Sequence, residues 1–410
     1  MANFKKIAAG AAALAMLGSM AACGSNTAYA FTIDGEQVKA GVYIYYSYLA
    51  YNDAVTTITE QNSELDVTDD EVVKEQKIDG KDALTWIQDK AKTYCQEHVA
   101  VNKEFDEAGL ALTGDEIADI DSSMESFWAE NEEAYEKNGI SEASVREVME
   151  YTYKASNLFL HYYNIDGVEG VTEEEVHDYY VDNNARVQYV AFNLVDGTGA
   201  ELDADGKAEM EKMVEDYLSA VEKLSDEDKI GEKMDEIKEE YKAYVTSVSE
   251  EAVAEAAGED GEAAATTTTE ATTTAEGETT TTTTTVPYLN ESIIARATTD
   301  EDTTEEDITY SPSKTVHDYV FEEAEFNKPA MIFDEENNVY YLIVRYDIEE
   351  RMNEDDLWYD AQKESAVSKM FSDAFQDKLD EWCAAQAVET NGAAIKRYDP
   401  FEIDFSVEEK

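Results

Sequence analysis

The chain has 410 residues, enough for more than one domain, and its 43% hydrophobic content suffices for buried cores. Its 94 Asp and Glu against 31 Lys and Arg give a formal charge of −63, a surface that repels phosphate backbones and excludes nucleic acid as a partner. Three cysteines and 4 scattered histidines make neither a disulfide scaffold nor zinc-type spacing, and no cofactor or metal is implied.

Residues 1–24 begin with Lys5 and Lys6, continue through an uncharged Ala-rich stretch from Ile7 to Met20, and end in Met20-Ala21-Ala22-Cys23-Gly24. That stretch is too short and too rich in small residues for a mature membrane-spanning helix, so an export signal is expected. The residues before Cys23 resemble a bacterial lipobox, with Met20 where Leu is usual. The resemblance implies that Cys23 becomes the lipid-bearing first residue, which holds the protein on the outer face of the cell membrane. An ordinary secretory signal cleaved after Ala30 is the alternative. Contact with the membrane through a basic patch is excluded by the charge.

After a polar tether, Phe31–Val38 alternates around Asp34-Gly35 and reads as a strand and turn. Val42, Tyr45, Tyr46, Leu49 and Ala50 recur at helical spacing over Ala40–Gln61. A polar stretch over Asn62–Gly80 leads to a second helix with Leu84, Ile87, Ala91, Cys95 and His98 on one stripe. Thr113 starts a third helix and Ser141 a fourth, and Thr172 with Glu175 has the spacing of a capping box. Cys95 and Cys383 both lie in helical patterns and are expected as buried free thiols, a single bridge being the alternative.

The pattern changes at Ala185, and Arg186–Val195 is β-branched and aromatic, a strand. Two helices with thin apolar stripes, Lys207–Leu224 and Asp226–Val245, are expected to pack shallowly. From about Ser247 the chain is almost wholly Ala, Glu, Gly and Thr, a composition expected to form a disordered, acidic insertion over 247–310. Ala330–Phe333 and Val339–Tyr346 read as a hairpin, a long helix is expected from Asn353 to about Thr390, and Ala394–Phe405 as a last strand that pairs near Phe31. Asp196–Gly206 lacks the ligand order of a calcium loop and reads as a solvated turn. His317 reads as a surface or capping histidine, and His98 as a partly buried structural one.

This order of elements resembles the SurA/PrsA-type foldases of the bacterial envelope. The resemblance rests on Phe31–Leu49, on Val171–Val195 with its Thr172-x-x-Glu175-Val176-x-x-Tyr179-Tyr180-x-x-Asn183 helix, and on Ala330–Tyr346. It implies an α+β protein in which a mainly helical chaperone domain is built from both chain ends, 31–185 and 353–410. A parvulin-like domain over 186–352 is inserted between them and carries the Thr-rich insertion; 1–23 is the signal and 24–30 the tether. Parvulin catalysis uses paired histidines in a small apolar pocket, and this sequence departs from that pattern. Ala191, Phe192 and Asn193 stand where the first histidine's stretch would be, and Tyr341 stands in place of the second. Prolyl isomerisation must lower a barrier of about 20 kcal/mol, and a lone Tyr hydroxyl is a poor substitute for an imidazole pair. Weak or no isomerase activity is therefore expected, with Tyr341 the residue to carry any that remains.

Tyr43, Tyr45, Tyr46, Tyr48 and Tyr51 cover more than half of one helix's circumference. They either line a tolerant groove for unfolded polypeptide or pack the core with their hydroxyls at its rim. The function expected is a membrane-anchored extracytoplasmic chaperone whose partners are unfolded exported proteins. The alternatives are an active peptidyl-prolyl isomerase and a cell-surface binding or adhesion lipoprotein.

Overall fold

The structure is a computed structural model that describes residues 27–259, 290–297, 308 and 310–403. The segment expected to be an export signal, with Cys23, and most of the Thr-rich stretch lie outside the described residues. In chain order the elements are β1 (Tyr29–Ile33), β2 (Glu36–Lys39), α1 (Ala40–Gln61), α2 (Asp70–Lys74), β3 (Lys77–Ile78), β4 (Lys81–Asp82), α3 (Ala83–Glu107), α4 (Gly114–Lys137) and α5 (Glu142–Tyr163). There follow α6 (Glu173–Asn183), β5 (Asn184–Asn193), α7 (Ala204–Val221), α8 (Glu227–Glu259), β6 (Ser292–Ala295), α9 (Lys314–Glu322), β7 (Pro329–Asp334) and β8 (Val339–Tyr346). The chain ends with α10 (Asp360–Ala385), β9 (Val388–Thr390) and α11 (Gly392–Arg397). The fold is α+β, and the chain divides into one unit of Met1–Glu169 with Phe371–Lys410 and another of Gly170–Met370. Among the described residues no helix is long and apolar enough to cross a membrane.

In the first unit, β1 and β2 form a hairpin whose turn residues Asp34 (φ 50) and Gly35 (φ 93) both have the left-handed backbone that tight hairpins require. The other edge of β1 pairs with β9, Phe31 opposite Thr390 and Ile33 opposite Val388. The strand expected over Ala394–Phe405 is therefore misplaced, and pairing happens a few residues earlier. Asn391 closes the ladder by donating to the Ala30 and Tyr29 carbonyls (both 2.8 Å), and Pro400, lacking an N–H, starts a turn capped by Asp399. The long helix is shorter at both ends than expected, because Ala387 exchanges hydrogen bonds with Asp34 at one end. At the other, Arg351 pairs with Asp356 and the chain loops back on itself before Asp360.

Helix α1 is buried on most sides, with Val42, Tyr43, Tyr46, Ala50, Ala54 and Ile58 in the core with β1 and α3. Its first half, Ala40–Tyr51, is buried or half-buried all round, whereas Asn52, Thr56, Glu60 and Gln61 keep one side of the second half exposed. α1 and α5 approach closely at Gly41, where a Cβ would lie 2.4 Å from Ser144 Oγ and 3.0 Å from Ser144 Cβ, so a larger residue would make Ser144 shift. Thr113 and Thr172 each form the full reciprocal capping box, with Glu116 and Glu175. Cys95 and Cys383 are free and buried, and burial pushes the Cys383 thiol up to about 12.

The second unit contains an antiparallel sheet in the order β6-β5-β8-β7. Strict alternation sends Val190, Phe192, Leu342 and Val344 to one face and Val187, Tyr341 and Ile343 to the other, so β5 and β8 are buried on both sides. α7 and α8 cover the first face, where Met210, Val214, Ile230, Met234 and Ile237 are buried to 2% exposure or less. Shallow packing was expected of these two helices; a thin stripe is sufficient when the partner is a broad apolar sheet. α9 covers the other face through Val316 and Val320. Helix α6 belongs to this unit and not, as the sequence suggested, to the helical domain before it. Trp358 is buried against Tyr180 and His177 and donates from Nε1 to Glu173, which also pairs with Lys363.

Two described pieces fall inside the stretch expected to lack structure. α8 continues to Glu259, where Ala and Glu keep helix propensity high, and β6 pairs with Asn184–Val187 of β5. β6 is anchored by the residue before it. Glu291 accepts from Nε (2.6 Å) and Nη2 (2.8 Å) of Arg186, a guanidinium only 2% exposed that also reaches Glu227 (3.1 Å), Glu350 (3.0 Å) and the Asp347 carbonyl (3.0 Å). Arg186→Leu is expected to cost about 3–5 kcal/mol, because it takes the bidentate partner from Glu291, a carboxylate only 11% exposed. Urea unfolding should show the lowered midpoint at constant slope, and an unchanged midpoint would show that the cluster adds no stability.

Candidate functional site

In the second unit, Tyr341 lies at the centre of the sheet, opposite Ala191 on β5 and Ile332 on β7. The ring is 6% exposed and meets Tyr189 edge-on at 5.9 Å. Its hydroxyl is hydrogen-bonded to Ser313, and Ser313 to Asp334; burial first, then the Asp334 charge, raises its pKa. Burial alone would raise the Asp334 carboxyl too. Hydrogen bonds from Ser313 and from the side chain (2.9 Å) and backbone (3.0 Å) of Asn337 outweigh it and hold the acid below its ordinary value. The Tyr341 hydroxyl is thus one end of a buried Tyr-Ser-Asp chain that ties β8, the start of α9 and β7 together.

Beside it is a hollow of about 550 Å³ lined by Tyr189, the β6 segment, Tyr310, Ser311, Pro312 and His317, and Tyr341 is not part of that lining. The Ala297 N–H donates to His317 Nε2 (2.9 Å), which leaves the ring proton on Nδ1, facing Asp318 Oδ1 at 3.2 Å. Tyr310 and Phe321 hold the ring at centroid distances of 5.0 and 4.9 Å. The sequence suggested a surface or capping histidine; instead the residue lies within α9, whose N-cap is Ser313, and its largely buried ring is fixed as one tautomer. Among the described residues it is the one imidazole in the hollow, and both of its nitrogens are engaged.

A second cleft, also of about 550 Å³, runs along β5 and shares Tyr189 and Ser292 with the first. It exists because β6 has four residues against ten in β5. The length difference between Ser292–Ala295 and Asn184–Asn193 was available in the sequence, but only to a reader who had recognised β6.

In the first unit the five tyrosines of α1 divide. Tyr43 (0% exposed) and Tyr46 (3%) are core residues, a correction to their assignment to a groove. Their rings pack on Phe31, and on Tyr94 and His98, respectively, in the centre of the helical packing. Tyr45, Tyr48 and Tyr51 are half-buried; Tyr45 stands 6.2 Å from Tyr135, and Tyr51 donates to Asp70 (2.7 Å) and meets Phe401 edge-on.

The feature of this unit that the sequence did not disclose is a cavity of about 680 Å³ lined by Asp34, Glu36, Lys103, Asp106 and Glu147, with His98 in its wall. The Tyr46 hydroxyl meets His98 Nδ1 at 2.9 Å, Glu147 Oε1 stands 3.7 Å from Nε2, and Lys39 holds the other Glu147 oxygen at 2.5 Å. Tyr151 stacks on the imidazole at 5.2 Å. Burial pushes the imidazole down to about 4 against the pull of Glu147. Among the described residues no group of His, Cys, Asp and Glu could hold a metal ion.

His98 binds its proton more weakly folded than unfolded, so its contribution to stability is complete above pH 6.5 and is lost as the pH falls toward 4. At pH 5 the loss is about 2 kcal/mol relative to pH 7. Urea midpoints of the parent and of His98→Gln at both pH values test this: the parent should lose more than the variant, and parallel losses would contradict it.

No protein-family model matches the chain, and neither a curated protein nor a solved structure matches it.

Proposed function

We propose that this chain is a lipid-anchored extracytoplasmic chaperone of the SurA/PrsA foldase type, held outside the cell membrane through Cys23, which binds unfolded exported polypeptide and has little or no prolyl isomerase activity. The observation that carries the reading is the chain's organisation: residues up to Glu169 and from Phe371 onward belong to one mainly helical unit, and a sheet-bearing unit of Gly170–Met370 lies between them in the chain. The reading of catalysis is supported by the hollow's single imidazole, engaged at both nitrogens, and by the Tyr341 hydroxyl's commitment to Ser313. Twisting a prolyl amide needs a free, aimed donor in a dry pocket, and neither group is free. Half-buried Tyr45, Tyr48 and Tyr51 and the clefts beside β5 offer amphipathic surface without any need for nucleotide or metal.

The full-length protein is expected to slow aggregation of a chemically unfolded client, and to leave the rate of a protease-coupled proline-peptide assay at its uncatalysed value. Turnover that Tyr341→Phe abolishes would make the protein an active isomerase. Unaltered client aggregation would remove the chaperone reading and leave a surface-binding lipoprotein.

A further inference from the structure

The outer edge of β5 is covered by β6 only as far as Val187. Beyond it the backbone alternates, and two hydrogen bonds fix which residues face outward. Arg296 N–H donates to the Asn183 carbonyl (2.7 Å), and Asn193 N–H to the Tyr241 hydroxyl (3.0 Å), so the odd-numbered residues point away from β8. The N–H and C=O groups of Tyr189 and Ala191 therefore open into the cleft beside α8, with no backbone partner among the described residues. A strand edge with free donors and acceptors is a template for another strand, and here it is flanked by a side chain that already satisfies the last of its N–H groups.

The wall of that cleft has an uncommon charge for this chain. Lys238 and Lys242 of α8 line it, both exposed and neither in an ion pair among the described residues, in a protein with 94 acids to 31 bases. Their neighbour Lys233, by contrast, is paired with Glu236. Four residues of helix advance about 6 Å, close to the roughly 6.6 Å between side chains two apart on a strand. We propose that this edge docks an extended polypeptide segment with carboxylate side chains at alternate positions, which adds to the sheet beside Tyr189–Ala191. Two carboxylates on one face of the segment meet Lys238 and Lys242. The residue between them turns to the opposite face, toward Tyr189 and the hollow that shares it. The geometry stands by itself; the identification of the occupant as a client segment rests on the polypeptide-binding reading above.

The test uses full-length protein and two fluorescein-labelled peptides, Val-Glu-Val-Glu-Val-Thr and its Lys-for-Glu counterpart, with anisotropy and amide hydrogen exchange as readouts. The Glu peptide should bind more tightly, lose affinity with added salt, and slow exchange at Tyr189 and Ala191. The exposed double variant Lys238→Glu/Lys242→Glu should weaken it by about tenfold or more. Ala191→Pro, which removes an N–H without a partner among the described residues, should weaken both peptides while the urea midpoint stays near that of the parent. Equal binding of the two peptides, or binding unaffected by the double variant, overturns the proposal. So does exchange at Tyr189 and Ala191 that is already slow without peptide, or a concentration-dependent dimer through this edge, since the edge would then be occupied. Client aggregation measured with the double variant separates the two readings: suppression that persists without peptide binding removes only the edge, whereas peptide binding without suppression removes only the chaperone reading.

Discussion

The ladder between β1 and β9 is the constraint on which the first unit depends. Three residue pairs, Phe31 with Thr390 to Ile33 with Val388, join segments more than 350 positions apart. Closing so long a loop costs on the order of 5 kcal/mol in chain entropy, more than three strand pairs return. The surplus comes from what the ladder positions: Phe31 and Ile33 are buried against α1, and Val388, Tyr398 and Phe401 pack on the same core. The C-terminal segment is thus a structural member of the unit that the N-terminal segment begins. Asn391 and Asp34 reinforce the join with side-chain bonds to the opposite strand's backbone.

Both units bury polar groups at the places where elements converge. In the first, Tyr46, His98 and Glu147 join α1, α3 and α5; in the second, Tyr341, Ser313 and Asp334 join β8, the start of α9 and β7. Each is a short chain in which a hydroxyl is satisfied by a partner that is itself held. Such networks favour one arrangement of their elements over near neighbours, because any shift leaves a buried polar atom without its bond.

What could be read from the sequence was local. The capping boxes at Thr113 and Thr172, the Asp34-Gly35 hairpin and the alternating run Val339–Tyr346 each depend on residues within a few positions of one another, and each is present. What could not be read depends on distant partners. Ile293 and Ile294 form a strand only because β5 is there to pair with them, and the surrounding Thr-rich composition hid the signal. Val388–Thr390 replaced a more strongly alternating segment because its backbone, not its pattern, meets β1. The cavity beside His98 needs Glu147 and Tyr46, each about 50 residues away along the chain, and no local spacing announces it. The spread of tyrosines around α1 left a groove and a core equally open in the sequence, and only the contacts with Phe31, Tyr94 and His98 from other elements place Tyr43 and Tyr46 in the core.

Arg186 has a bearing on the second unit that goes beyond holding charge. By gripping Glu291 it sets the point at which β6 begins, and so the length of β5 left uncovered. A strand can slide along its neighbour and keep its side chains on their own faces only in steps of two residues, about 7 Å. The uncovered stretch therefore changes in whole units, one outward-facing N–H and C=O set at a time. A single guanidinium thus works as a ruler, and it fixes how many rungs of β5 stay uncovered by β6.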